Sequence, residues 1–409
     1  MFRAHFSRDR AGLALVCGFL PVGGAQAGEV LISNWLQGDV LRYEADTGDF
    51  IGALAPAPGA GGMAVDERGI LYVACETMNE IRRFNLATGQ PLHPFVRDDP
   101  ATEGDETGGL DGPTGLTFGP DGNLYVCSFN NDSILRYDGR TGAFVDVFVG
   151  DSEGGLNGPD IGITFGADGD LYVASHWTDS VNRYEGVSGA AKGEFVAQGA
   201  SGLTWPRDIM FSGGALLVSS TPSELLYRYD AETGAPAGYA DFFYVVGPGG
   251  MGAGPSGLVY LASAAGVVLK IDPRDTIALR GFLVGFTGYA PQGGQDILFV
   301  PDLPCLGVTA PSPGLAGEAN TITAHRAEPG ASVTFLAGTS TELSQMPGCP
   351  GTVLGIGAAR VIGSAWADEA GDAFITINVP QRLRGTPLFV QAVDRSACSA
   401  SGALPVTFR

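Results

Sequence analysis

The chain has 409 residues, including 63 glycines and 26 prolines, and its formal net charge at pH 7 is −21. Such an acidic chain repels phosphate backbones, which excludes DNA or RNA as an expected partner. Hydrophobic residues make up 44% of the chain. They can bury a substantial core, so the glycines indicate turns rather than disorder.

The first 27 residues have the pattern of an export signal. Three arginines precede an apolar stretch from Ala11 to Val22, and Ala25-Gln26-Ala27 offers the small residues that a signal peptidase recognises. The apolar stretch is shorter than the ~20 residues needed to cross a bilayer. We therefore expect cleavage after Ala27 and a protein that is secreted, periplasmic or at the cell surface, with no membrane span.

A repeated unit follows the predicted signal. Its clearest copy reads LTFGPDGNLYVCS from Leu116, then ILRYD from Ile134, then Thr141-Gly142. Asp-Gly suits a tight turn between two strands, Arg-Tyr-Asp a third strand, and Thr-Gly the turn into a fourth. The positions equivalent to the tyrosine of LYV are Leu31, Tyr72, Tyr125, Tyr172, Leu217 and Tyr260. Their spacings of 41, 53, 47, 45 and 43 residues match the period of a four-stranded propeller blade, so six copies predict six blades.

The two ends of the repeat region complete each other. The first copy opens at Val30-Leu31-Ile32 without an inner strand, whereas residues 297–302 resemble an inner strand with no second strand after it. We therefore predict an all-β, six-bladed β-propeller over residues 28–302, in which N- and C-terminal strands close one blade.

Residues 303–409 lack the repeat. They contain short alternating segments, such as Phe374–Val379 and Leu388–Val393, separated by turn signals such as Pro329-Gly330. About seven strands in a segment of this length predict a small immunoglobulin-like (Ig-like) β-sandwich. We interpret it as a spacer or attachment module, with a carbohydrate-binding sandwich as the alternative.

The repeat resembles those of NHL-repeat and streptogramin-lyase-like propellers, a group that neighbours the YVTN and gluconolactonase types. The resemblance rests on Gly-Pro-x-Gly-Leu-x-Phe-Gly-Pro-Asp-Gly-x-Leu-Tyr-Val and Arg-Tyr-Asp-x-x-Thr-Gly, and it covers about two thirds of the chain. These motifs are turn and strand chemistry, so they indicate the fold and say little about function. The resemblance to gluconolactonases implies a divalent ion bound in the central channel.

One position of the repeat is expected to face the central channel. It is the residue just before each inner strand: Gly62, Gly115, Gly162, Asp208, Gly250 and Asp296. Asp208 and Asp296, joined by Asp160 in a preceding loop, could hold a hard cation such as Ca²⁺, and Arg207 and Gln295 flank the two aspartates. We predict a ligand site of these five residues at the channel mouth, with Asp208 and Asp296 as candidate metal ligands. The alternative is that the aspartates cap turns or pair with Arg207.

The sequence offers no set of residues for covalent catalysis. It has no Gly-x-Ser-x-Gly elbow and no Walker pattern. His93 and His176 are outside the channel position and are badly placed for a triad, and His325 is in the C-terminal segment. We therefore predict no catalytic residues and no certain cofactor.

Five cysteines follow the predicted signal: Cys75, Cys127, Cys305, Cys349 and Cys398. The odd number leaves at least one unpaired or paired between chains, and the sequence does not define the pairing. Cys75 and Cys127 are on neighbouring blades, where they either meet across the blade interface or serve as small buried hydrophobes.

These observations predict an exported, non-catalytic propeller that binds a protein, a glycan or a small molecule, or acts as a scaffold. The first alternative is a divalent-cation-dependent lactonase or esterase of the gluconolactonase type that uses Asp208 and Asp296. The second is a structural protein of the cell envelope.

Overall fold

A computed structural model describes residues 28–45, 48–66, 69–86, 89–98, 104–241, 247–254, 257–264, 266–274, 282–284, 294–300, 307–309, 311–325, 327, 330–340, 344–345, 353–354, 356, 359–369, 371–394, 399–401 and 404–409. They fall into two compact units, one up to Leu303 and one from Pro304 onward. The predicted export signal and Cys305, Cys349 and Cys398 lie outside the described residues. No helix in the described part of the chain is long and apolar enough to span a membrane.

The first unit is built almost entirely of short strands. In chain order they are β1 (Glu29–Asn34), β2 (Asp39–Glu44), β3 (Phe50–Pro56), β4 (Ala60–Val65), β5 (Ile70–Cys75), β6 (Glu80–Asn85), β7 (Pro113–Phe118), β8 (Leu124–Ser128), β9 (Ser133–Tyr137), β10 (Phe144–Val149), β11 (Pro159–Phe165), β12 (Leu171–Ser175), β13 (Ser180–Tyr184), β14 (Ala191–Val196), β15 (Pro206–Ser212), β16 (Ala215–Ser220), β17 (Leu225–Asp230), β18 (Pro236–Asp241), β19 (Pro248–Ala253), β20 (Val259–Ser263), β21 (Val268–Ile271), β22 (Phe282–Val284) and β23 (Gly294–Val300). Short 3-10 helices span Glu76–Met78, Phe129–Asn131, Glu153–Gly155 and Ala200–Gly202.

These strands form six antiparallel sheets. Five have four strands each, in the orders β23-β1-β2-β3, β7 to β10, β11 to β14, β15 to β18 and β19 to β22. The sixth is β4-β5-β6, and single bridges to Pro91 and Val96 take the place of its fourth strand. The first strands contact one another in a closed ring, in the order β4, β7, β11, β15, β19, β23 and back to β4. The unit is therefore a six-bladed β-propeller, which confirms the predicted fold class.

One sheet joins the two ends of the propeller. In it β1 pairs antiparallel with β23, so that Leu31 is opposite Leu298 and Ile32 is opposite Ile297. The inner strand of this blade comes from the end of the repeat region and its other three strands come from the beginning.

Aromatic contacts between blades explain the repeated tyrosine. The Tyr72 ring contacts Phe95 edge-on at 4.9 Å and Phe118, on the inner strand of the next blade, at 5.1 Å. Tyr125 makes the same pair of contacts with Phe148 and Phe165 at 4.8 and 5.0 Å. Each such pair is worth about 0.5–1.5 kcal/mol beyond the area it buries. The Tyr and Phe of the repeat therefore hold neighbouring blades together.

Cys75 and Cys127 are both buried and neither forms a disulfide. Of the two alternatives that the sequence left open for this pair, the structure shows the small buried hydrophobes.

The second unit contains β24 (Gly307–Val308), β25 (Ala319–His325), β26 (Ser332–Gly338), β27 (Ser344–Gln345), β28 (Val353–Leu354), β29 (Arg360–Trp366), β30 (Ala373–Asn378), β31 (Pro387–Asp394), β32 (Ser399–Ala400) and β33 (Leu404–Thr407), with a 3-10 helix at Gln381–Leu383. One sheet has the order β24-β25-β30, another has β29-β26-β31-β32 with β33 also paired to β31, and β27 pairs with β28.

The two larger sheets of the second unit share one core. Ile322 on β25 and Ile375 on β30 cluster with Phe335 on β26 and Val390 on β31. Two sheets packed over a common apolar layer are the arrangement of a sandwich. The Ig-like identity of this unit stays a prediction.

Candidate ligand site at the channel mouth

The predicted channel position lies inside each inner strand, whereas the sequence pattern placed it just before the strand. Glycine at this position lets the inner strands approach one another closely. A Cβ atom on Gly115 would lie 2.4 Å from the carbonyl oxygen of Ile161 on the next inner strand, and one on Gly62 would lie 2.8 Å from that of Thr114. These positions therefore face a neighbouring backbone rather than open space, and only glycine fits without a shift of the strands.

Asp208 occupies this position on β15 and uses its carboxylate to join two inner strands. Its Oδ1 accepts the backbone N–H of Ile209 at 2.7 Å, and its Oδ2 accepts that of Met251, on the next inner strand, at 2.5 Å. The Ser219 hydroxyl accepts the N–H of Asp208 and donates to the carbonyl of Gly249. Asp208 thus replaces the close glycine contact with hydrogen bonds between blades.

Asp296 repeats this arrangement on β23. Its two oxygens accept the backbone N–H groups of Ile297 and Met63, each at 2.7 Å, and its own N–H donates to the Ser33 hydroxyl. Burial raises the pKa of Asp296 to about 6. Burial also raises the pKa of Asp208 well above its usual range, and the charge of Asp296 adds to that shift.

These hydrogen bonds already occupy the oxygens of the two predicted metal ligands. A cation at Asp208 and Asp296 would compete with four backbone N–H groups for the carboxylates. Among the described residues, no group of three or more His, Cys, Asp and Glu side chains is arranged to hold a metal ion. A metal at Asp208 and Asp296 stays a prediction.

A cavity of about 70 Å³ opens at the channel mouth. Five of the residues that line it directly precede the predicted channel position on five different inner strands: Gly61, Thr114, Ile161, Arg207 and Gln295. Because they come from five blades at an equivalent position, the cavity lies on the axis of the ring. The other lining residues are Trp35, Glu76, Phe129 and Asp160.

Asp160 is the centre of a polar network beside the cavity. Its Oδ2 lies 3.1 Å from Nδ1 of His176 and 3.2 Å from Nε of Arg207, while its Oδ1 accepts the N–H of Ile161 at 2.8 Å. Nη2 of Arg207 in turn donates to Oε1 of Gln295. Asp160 and His176 are only 2% and 6% exposed. Burial of the carboxylate is offset here by a guanidinium and an imidazole, as a buried charge requires.

Glu76 and Trp35 form a second polar pair on the cavity wall. Nε1 of Trp35 donates to Oε2 of Glu76 at 2.7 Å. Burial raises the pKa of Glu76 above its ordinary value, the Trp35 hydrogen bond opposes this, and the charge of Asp160 reinforces it. Within the described part of the chain, Oε1 of Glu76 and Nη1 of Arg207 make no hydrogen bond. The cavity therefore offers a ligand both an acceptor and a donor.

The structure divides the predicted site residues into two sets. Asp160, Arg207 and Gln295 meet in one network at the cavity, whereas Asp208 and Asp296 are held between inner strands. His176, predicted to lie outside the channel position and to be badly placed for a triad, bonds through its ring to Asp160 beside the cavity.

One further position of the repeat lies at the cavity and was not predicted from the sequence. The residue that directly follows each second strand is Trp35, Glu76, Phe129, His176, Thr221 and Ala264. Three of these line the cavity and a fourth bonds to Asp160. The available signal was their chemical diversity, since a residue that serves only a turn is expected to recur among the copies as Gly, Asn, Asp or Ser.

No protein-family profile matches the chain, and no curated protein matches its sequence. Solved structures do match. One is a chain of the crystal structure of a nidogen/laminin complex, with a TM-score of 0.53 and 15% identity over 67% of this chain and 99% of that one. Another is a protein of unknown function from Bacteroides caccae, with a TM-score of 0.50 and 13% identity over 68% of this chain and 100% of that one.

Virginiamycin B lyase from Staphylococcus aureus is also similar, with a TM-score of 0.44 and 13% identity over 83% of this chain and 93% of that chain. That score is too low to support an argument about function. At these identities the comparisons show the fold alone, so the resemblance to propeller proteins is confirmed at the level of the fold.

Proposed function

We propose that this protein is an exported, non-catalytic binding module whose ligand site is the cavity at the channel mouth. The observation that carries the proposal is the convergence of Trp35, Glu76, Phe129 and Arg207 from four blades on one cavity. A concave site with aromatic walls and a few convergent polar groups is the usual form of a small-ligand site.

The polar groups at the cavity favour binding over covalent catalysis. Asp160 forms an ion pair with Arg207 and a hydrogen bond with His176, so these three side chains are already partnered. The hydroxyl of Thr114, the only one on the described cavity wall, donates to the carbonyl of Pro159 at 2.8 Å. A nucleophile would need a base within hydrogen-bond reach, and Thr114 instead bonds to a main-chain acceptor.

Export and partners are part of the same proposal. Export rests on the pattern of the first 27 residues. One structure of similar fold is a complex of nidogen with laminin, so a protein partner or a scaffold role fits the fold as well as a small ligand does. A structural role in the cell envelope is the further alternative.

The proposal is tested by saturation-transfer NMR on the mature chain with a panel of amino acids, dipeptides, hexasaccharides and lactones. We expect at least one compound to bind the wild type, and its signal to be lost in Arg207→Met, which keeps the side-chain stem and removes the guanidinium. Arg274→Met is the matched control, because Arg274 is exposed and, among the described residues, pairs with Asp272 alone. The proposal fails if no compound binds, or if Arg207→Met binds as the wild type does.

The lactonase alternative has its own readout in the same panel. It rests on Asp208 and Asp296, two buried carboxylates whose charges interact. Calcium-dependent hydrolysis of a lactone, abolished by Asp208→Asn, would replace the binding proposal with this alternative.

A further inference from the structure

Four aromatic rings lie together beside the cavity and form what we call the aromatic ledge: Phe129, His176, Trp177 and Trp205. The His176 and Trp205 rings are stacked with centroids 5.4 Å apart, and Trp177 meets Trp205 edge-on at 5.7 Å. Phe129, which lines the cavity, contacts His176 at 5.9 Å and Trp177 at 6.2 Å. The ledge is therefore continuous with the cavity wall.

Two rings of the ledge are open to solvent. Trp177 is 51% exposed and Trp205 is 44% exposed. Leaving two neighbouring indoles half in water forgoes the burial that would otherwise stabilise the fold. Adjacent exposed aromatic rings next to a cavity are typical of a recognition surface.

Trp205 gives an independent reason to assign a function to the ledge. Trp205 directly precedes β15, and at the equivalent place before the other five inner strands, as the structure bounds them, the residue is glycine: Gly59, Gly112, Gly158, Gly247 and Gly293. The four of these that the structure describes have φ between +63° and +68°, and Trp205 adopts φ +43°. A bulky residue in the left-handed region is strained, and such strain is concentrated at functional sites. Trp205 therefore occupies a backbone position that glycine would adopt with less strain.

We propose that the aromatic ledge and the cavity bind a saccharide, with the exposed face of Trp205 stacked on a sugar ring. This inference rests on the proposed binding function and names its ligand class. A pyranose has an apolar C–H face and a rim of hydroxyl groups, so it needs a flat aromatic surface beside planar polar groups. The ledge supplies the surface, because Trp205 is stacked on His176 and is still 44% exposed.

The polar groups of the cavity match the hydroxyl rim of that sugar. A hydroxyl both donates and accepts hydrogen bonds. The free Oε1 of Glu76 can accept from one hydroxyl, and Nη1 of Arg207 can donate to another. A volume of about 70 Å³ admits the edge of one sugar ring. The remaining sugars of an oligosaccharide would therefore extend over the aromatic ledge.

Charge selects a neutral saccharide over an acidic one. The chain carries a net charge of −21, and the cavity holds the carboxylates of Glu76 and Asp160 against one guanidinium. A uronate would add a further negative charge next to these groups, which costs binding free energy.

The test is isothermal titration calorimetry of the mature chain with neutral hexasaccharides of glucose, xylose, mannose and N-acetylglucosamine, and with oligogalacturonate as the acidic arm. We expect one neutral hexasaccharide to bind the wild type and to bind Trp205→Gly and Trp177→Ala at least ten-fold more weakly. Trp366→Ala, which removes an exposed tryptophan of the second unit, is the control and should bind as the wild type does.

Thermal unfolding of the same variants separates binding from folding. Trp205→Gly restores the residue that the other blades have, so its melting temperature should equal or exceed that of the wild type while binding is lost. A lower melting temperature with unchanged affinity would overturn the inference, since Trp205 would then serve the fold.

The outcomes also distinguish this inference from the proposed function. If no saccharide binds but another panel compound binds in an Arg207-dependent way, the saccharide inference is wrong and the binding function stands. Preference for oligogalacturonate would overturn the neutral-sugar assignment. If no compound of either panel binds, both fail.

Discussion

Replacing Asp208 by asparagine is expected to loosen the ring of inner strands. The carboxylate accepts two buried backbone N–H groups, from Ile209 and Met251. Asparagine has one carbonyl oxygen and presents an NH₂ group on the other side, so one of these N–H groups faces a donor. A buried donor without an acceptor costs ~1–3 kcal/mol. At ~2–4 °C per kcal/mol for a unit of this size, the melting temperature should fall by about 2–12 °C.

The assay is thermal unfolding followed by circular dichroism at pH 7.5, in EDTA and again with added Ca²⁺. Asp98→Asn is the control, because Asp98 is exposed and its loss should change stability by less than ~0.5 kcal/mol. The hydrogen-bonding account is refuted if Asp208→Asn is as stable as the wild type. If Ca²⁺ stabilises the wild type and not the variant, Asp208 is a metal ligand, as the alternative prediction holds.

Three further predictions concern the same inner ring and its neighbours. Gly115→Ala should lower the melting temperature, measured by the same assay, because its Cβ would lie 2.4 Å from the Ile161 carbonyl; an unchanged value would contradict the close approach. Since burial raises the pKa of Asp296 from 3.8 to about 6, the folded state binds the proton more tightly than the unfolded state, and the free energy of unfolding should rise by ~2 kcal/mol as pH falls from 7.5 to 4.5. Urea unfolding tests this rise, and it should be smaller in Asp296→Asn. Cys75, whose pKa burial raises to about 12, and Cys127 should resist a thiol reagent until urea unfolds the protein; fast labelling of either in the native state would show that its strand opens.

The repeat made the fold predictable because its residues have one role in every blade. Tyr72 and Tyr125 each contact a phenylalanine of their own blade and one of the next, so the period of the tyrosines is the period of the sheets. Strand pairing follows the same pattern. The first repeat copy lacks an inner strand, and β23 from the last copy supplies it by pairing with β1.

The site was only partly predictable, because the repeat gives equivalent positions but not the direction in which each position faces. Asp208 and Asp296 break a glycine pattern and so looked like ligands, yet the space they enter lies between strands. The serine that accompanies each of them, Ser219 and Ser33, was a sign of this structural role, since both bond to the backbone N–H of their aspartate.

Asp160 reaches the network through a local irregularity of β11. Pro159 and Ile163 are four residues apart, whereas the equivalent Pro113 and Leu116 on β7 are three apart. The extra residue carries a carboxylate that His176 and Arg207 bind. Such an insertion is visible in the sequence, but the direction of its side chain depends on how the strand bulges.

The most direct measurement is a crystal structure of the mature chain with the hexasaccharide that binds it most tightly. We predict density for a sugar ring stacked on Trp205, with hydroxyl groups within hydrogen-bond distance of Glu76 and Arg207. Density on the outer strands of the propeller or on the second unit, with the channel mouth holding only water, would contradict the assignment of the ligand site.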